Sequence, residues 1–184
     1  MVEFLDDSYD ALAMVGYHAA ASAGGNPLAH TITGKVAKML INGQVTSEFM
    51  LSRDCGALHG VPTVFLAGDQ TLCDSATAMN SATHTVATKH CAGGSTTSVH
   101  PNVATAMIRD GMAAALADDA AKKLLPLADS FELELWYTDQ HYAINASQYP
   151  GARLHDPHAI KYQARDFFEI MRILSFVLEP PRFQ

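Results

Sequence analysis

The 184 residues suffice for one domain, and with 48% apolar and 17% charged residues the composition supports a sizeable hydrophobic core. A formal net charge of −7, with twelve scattered Lys and Arg, argues against a nucleic-acid partner, because phosphate binding needs clustered cations. No run reaches the roughly eighteen apolar residues of a membrane span, and the acidic opening MVEFLDDSYD lacks the basic start of a signal peptide.

In chain order, ALAMVGYHA (11–19) is a short apolar run that predicts a buried strand ending at Gly16 and His18. A Gly- and Pro-bearing loop, SAGGNPLAH (22–30), leads to His30. Asn42-Gly43 between two β-prone runs predicts a hairpin over about 35–48, since both residues accept the positive φ of a type I′ turn. A helix follows from Thr46 or Ser47, whose hydroxyls can cap it, to near Gly60.

VPTVFLAGD (61–69) predicts a second buried strand, closed by Gly-Asp, and 78–88 reads as short helix and strand. CAGGSTTSVHP (91–101) reads as loop, and the Ala-rich stretch from Asn102 as a helix weakened by Gly111. FELELWY (131–137) alternates as a half-buried strand does. A short helix at DQHYAINASQYPG, closed by Pro150-Gly151, a strand at AIKYQA and an amphipathic closing helix from Arg165 complete the chain. Interleaved strands and helices give an α/β class around a mostly parallel or mixed sheet, with 1–184 as a single domain.

Three polar residues stand out by placement. His18 ends an apolar strand, where α/β proteins put ligands. His30 lies past a loop able to fold back towards that strand end. Glu48 opens the helix after the hairpin, where a carboxylate also suits the positive helix end. Two imidazoles and one carboxylate are ligand types that zinc takes in hydrolytic sites.

The order of these landmarks carries a resemblance. GYHA (16–19), the loop to His30, NGQVTSEF (42–49), VPTVFLAGDQ (61–70) and PGARLHDPHAIKYQARD (150–166) together resemble the zinc-dependent D-aminopeptidases named for the dipeptide-transport operon. The similarity runs from about residue 1 to residue 178. It implies that His18 and Glu48 are metal ligands of a two-zinc centre and that His30 is the catalytic histidine beside it. The family's other ligands, from an Asp-x-Glu and an Asp-Ser-His segment, have no match in these 184 residues. MVEFLDD resembles an internal stretch of such proteins, so the chain reads as their C-terminal two-thirds. The loop between His18 and His30 is slightly longer than the family's, and CAGGS departs from an Arg-richer pattern.

The implied activity is hydrolysis of short peptides by a zinc-activated water in a homo-oligomer. The alternative is a truncated or non-catalytic oligomerising relic with a partial metal site.

Other groups have plainer readings. Asp69 caps the turn after its strand. His155 and His158, flanking Asp156, sit in a solvated loop. His90 and Cys91 point to opposite faces of a strand, which weakens a thiol-nucleophile reading. Lys89 is a minor candidate for substrate contact. Cys55, Cys73 and Cys91, odd in number and widely spaced, suit reduced thiols in the cytoplasm.

Overall fold

The computed structural model describes residue 2 and residues 4–178; Met1 and Glu3 of the opening MVEFLDD, and residues 179–184, lie outside the described residues. The strands are β1 (Leu12–Tyr17), β2 (Val36–Ile41), β3 (Gln44–Val45), β4 (Thr63–Asp69), β5 (His84–Ala92), β6 (Ser95–Ser98), β7 (Phe131–Tyr137), β8 (Arg153–Asp156) and β9 (Ala159–Ala164). The helices are α1 (Glu48–Leu58), α2 (Gln70–Met79), α3 (Pro101–Ala117), α4 (Gln140–Ala146) and α5 (Phe167–Val177). The class is α/β as expected. The strands divide between two sheets, β1-β4-β5-β6 and β3-β2-β7-β9-β8, and the chain clusters into two compact units, each built on one sheet.

In the first unit β1, β4 and β5 run parallel and β6 antiparallel. Every residue of β4 is buried, as its continuous apolar run predicts. Met14 and Leu66 pack on one face with Phe49 and Met50 of α1 and Leu72 and Ala76 of α2. Val64, Phe65 and Ala67 pack with Ala115 of α3. Burial of β1 is less complete than its composition predicts. Met14 is buried but Val15 is 51% exposed, while the contacts of α3 with this sheet concentrate on β4 and β5.

Gly111 weakens α3 on propensity, but geometry requires it. A Cβ there would lie 2.8 Å from Val86 Cγ2 and 2.9 Å from Phe65 Cε2, so glycine lets the helix settle onto the sheet. Beyond α3, a 3₁₀ turn, Ala120–Lys123, folds Lys123 beneath it. The Lys123 side chain is fully buried; its Nζ donates to the Ala115 carbonyl at 2.6 Å and lies 3.5 Å from Asp118 Oδ2. Lys123→Met is expected to lose about 1–3 kcal/mol, because a buried carbonyl loses its donor. A lowered urea midpoint is the readout, and an unchanged midpoint would show that the carbonyl finds another partner.

In the second unit the Asn42-Gly43 hairpin forms as predicted, with φ of 51° and 77°. β7 alternates as read. Phe131, Leu133, Leu135 and Tyr137 are buried, and Phe131 meets Phe167 of α5 edge-on at 5.5 Å between ring centroids. On the same strand Glu132 and Glu134 hold Lys161 at 3.3 and 3.1 Å.

Two segments read as loops contain strands. β6 pairs with β5 across Gly93-Gly94, and β8 pairs with β9 across Pro157-His158. Both are short and exposed, so the alternating pattern that reveals β7 is missing from them.

Candidate metal centre

His18 follows the last residue of β1, and Glu48 is the first residue of α1. His30 lies in the long connection between β1 and β2. The sequence separates these residues by up to thirty positions, and the fold gathers them. One ligand atom from each of His18, His30 and Glu48 lies within 4.8 Å of the other two, and all three side chains are half-buried. Among the described residues no other three His, Cys, Asp or Glu side chains meet that condition. His155, Asp156 and His158 are therefore not brought together as a metal site, and His155 and Asp156 lie in β8 rather than in the loop expected for them.

His18 and Glu48 border an open cleft of about 240 Å³ with Val15, Gly16 and Tyr17. The walls on the β1 side include the exposed stretch of that strand, so a ligand in the cleft would lie along accessible backbone.

The connection carrying these groups is held by polar residues that composition does not single out. The Thr31 hydroxyl accepts from the Ala21 amide at 3.1 Å and donates to the Thr46 carbonyl at 3.1 Å, wholly buried. One hydroxyl thus ties the segment after His18, the residue after His30 and the segment before Glu48.

The Thr33 amide then donates to the Thr31 carbonyl at 2.8 Å around Ile32, whose φ is 65°. This is a γ-turn of the rarer, left-handed form, strained for a β-branched residue. Such strain persists only where neighbouring contacts impose it. No glycine at 32 announces it in the sequence.

Asp69 is a cap, though of a helix rather than of the turn expected: its Oδ1 accepts from the Leu72 amide at 2.8 Å at the start of α2. It does more than that. Its Oδ2 accepts from the Ala19 amide at 2.7 Å and from the Asn26 side chain at 2.8 Å, both on the connection between His18 and His30. The signal available in the sequence is a carboxylate ending a strand that is apolar from Val64 to Gly68.

The thiols are placed for packing rather than chemistry. All three cysteines are free and buried. Burial pushes the Cys55 and Cys73 thiols up to about 11 each, far from the thiolate a nucleophile needs. Cys91 is buried while its neighbour His90 is exposed, so the pair points apart as predicted. The folded chain is expected to react with a disulfide reagent only slowly, and to release all three thiols on denaturation. Rapid modification of one thiol in the native state would reopen the cysteine-dependent reading.

Comparison with known proteins bears on these residues. The model of the family described as D-aminopeptidase matches residues 1–176. The D-aminopeptidase of Bacillus subtilis (strain 168) is 26% identical over 181 residues, which cover 97% of this chain and 66% of that protein. Among solved structures, the zinc-dependent D-aminopeptidase DppA from Bacillus subtilis, a self-compartmentalizing protease, matches with a TM-score of 0.90 at 24% identity. That match covers 100% of this chain and 69% of the other, and at this identity it is a likeness of fold.

Proposed function

The chain belongs to the D-aminopeptidase family of peptidases, and from that premise we propose that it is a metal-dependent aminopeptidase acting on short peptides, including those with a D-residue at the amino end. The observation that carries the reading is the meeting of His18, His30 and Glu48 within 4.8 Å. Because the chain spans 66% of the length of the relative it matches, the activity, substrate and assembly of the whole protein belong to the proposal.

The donor set fits zinc. Imidazole nitrogen and carboxylate oxygen bind it at about 2.0–2.2 Å, so ligands of one tetrahedral ion lie roughly 3.3–3.6 Å apart, inside the spacing seen here. His18 and Glu48 would hold the ion. Bound there, zinc supplies a Lewis acid and a water that ionises near neutral pH.

The residues of the chain do the rest. Glu48, fixed as the first residue of α1, offers a carboxylate whose direction the helix sets. His30 exchanges a proton with the substrate at a ring nitrogen and stabilises charge on the carbonyl oxygen. The cleft beside Val15, Gly16 and Tyr17 receives the amino end of the peptide.

A second zinc, implied by the family resemblance, would need ligands beyond these three. For the 184-residue chain we expect no more than one tightly held zinc. We propose a homo-oligomer, supported by the self-compartmentalizing character of DppA. A cytoplasmic location is supported by the three free thiols. Among the described residues no helix is long and apolar enough to cross a membrane.

The test is an assay of D- and L-alanyl dipeptides with and without a chelator, followed by zinc addition. Chelator-sensitive hydrolysis restored by zinc is expected. Hydrolysis indifferent to chelators would sink the proposal. A chain that neither binds zinc nor cleaves either peptide would favour the non-catalytic, oligomerising reading.

A further inference from the structure

A metal-binding histidine must present one ring nitrogen as a lone pair, so the fate of its other nitrogen decides whether it is ready. In His18 that fate is legible. Its Nδ1 lies 3.0 Å from the carbonyl oxygen of Ala19. A carbonyl only accepts, so Nδ1 carries the proton, which leaves Nε2 as the ligand atom of the neutral ring.

The acceptor is itself held. The amide of Ala19, on the same residue, donates to Asp69 Oδ2 at 2.7 Å, and Ala19 is buried to 1% exposure. The same oxygen takes the Asn26 side chain at 2.8 Å, and the other oxygen caps α2 through Leu72. Asp69 is wholly buried, accepts three N–H donors and ends the most buried strand of its sheet. Its position is therefore set by the core and not by solvent.

We propose that Asp69 is a positioning residue for the metal centre. Through the backbone of Ala19 it fixes the Nδ1–H tautomer and the ring direction of His18, and through Asn26 it restrains the loop that leads to His30. The inference rests on the metal-site reading above for its consequence, and on the approach of Nδ1 to the Ala19 carbonyl for the ring's direction. A purely structural role would need nothing from Asp69 but the cap of α2, for which serine serves nearly as well. That difference allows the two roles to be separated.

Asp69→Ser keeps a hydroxyl for the Leu72 amide but is too short to hold Ala19 and Asn26. In the folded variant, zinc affinity by competition with a chromophoric chelator is expected to fall about 10–100-fold, the range for losing support behind a ligand. The visible absorption of the cobalt-loaded chain is expected to change with it. A folded Asp69→Ser chain with wild-type zinc affinity and cobalt spectrum overturns the proposal.

If that variant does not fold, nitrogen NMR of the metal-free wild-type chain decides, with the His18 ring assigned by its loss in His18→Gln. The Nδ1–H tautomer is expected. The Nε2–H tautomer overturns the proposal. A wild-type chain that shows the Nδ1–H tautomer yet takes up no zinc would defeat the aminopeptidase reading and leave only the orientation of the His18 ring standing.

Discussion

His30→Ala is expected to lower peptide turnover by roughly two to four orders of magnitude, the loss usual for a general acid–base group, while zinc content stays as in the wild type. The expectation follows from two facts that pull in different directions. The imidazole lies close enough to His18 and Glu48 to be a third ligand, within 4.8 Å of both. The family resemblance assigns it to the substrate instead. Turnover alone does not separate these roles, since either loss abolishes hydrolysis, so metal content must be measured on the same sample. Zinc and activity lost in equal proportion would make His30 a ligand.

Gly68→Ala is expected to be the most damaging single-methyl change near the centre. A Cβ at Gly68 would lie 2.5 Å from the carbonyl oxygen of Tyr17, 3.3 Å from its carbonyl carbon and 3.4 Å from Leu72 Cδ2. The first two atoms are backbone, so no side-chain rotation relieves the clash. Either β1 moves away from β4 at its end, carrying His18, or the β4 backbone shifts.

Overpacking of this kind costs about 1–3 kcal/mol, and displacement of a ligand adds a fall in zinc affinity of about tenfold or more. Urea denaturation and chelator competition measure the two. Gly34→Ala is the control, because a Cβ there meets nothing within 4 Å. Equal behaviour of the two variants would show that strand pairing at Tyr17 tolerates the methyl group.

Placement at a strand end and at a helix start drew attention to His18 and Glu48, and the family resemblance then implied their role. Asn42-Gly43 announced its hairpin because type I′ geometry admits few other pairs. Gly68 and Asp69 were visible as a motif, but their reasons were not. The clash at Gly68 exists only because β1 lies beside β4, and the second and third bonds of Asp69 reach back some fifty and forty-three positions to Ala19 and Asn26. Thr31 and Ile32 gave no signal at all. A buried hydroxyl between two backbone groups and a left-handed isoleucine are imposed by tertiary contacts, against local preference.

The edge position of β1 has a consequence for how metal and fold communicate. Among the described residues β1 pairs in its sheet with β4, and its C-terminal end delivers His18. A strand at the edge of the described sheet is a natural place for local opening, and an opening there moves the histidine relative to Glu48. Metal bound by both residues then weights the closed state by mass action. Occupancy of the centre should therefore be readable as slowed hydrogen exchange along Leu12–Tyr17, beyond the slowing that zinc brings to β4 through global stability.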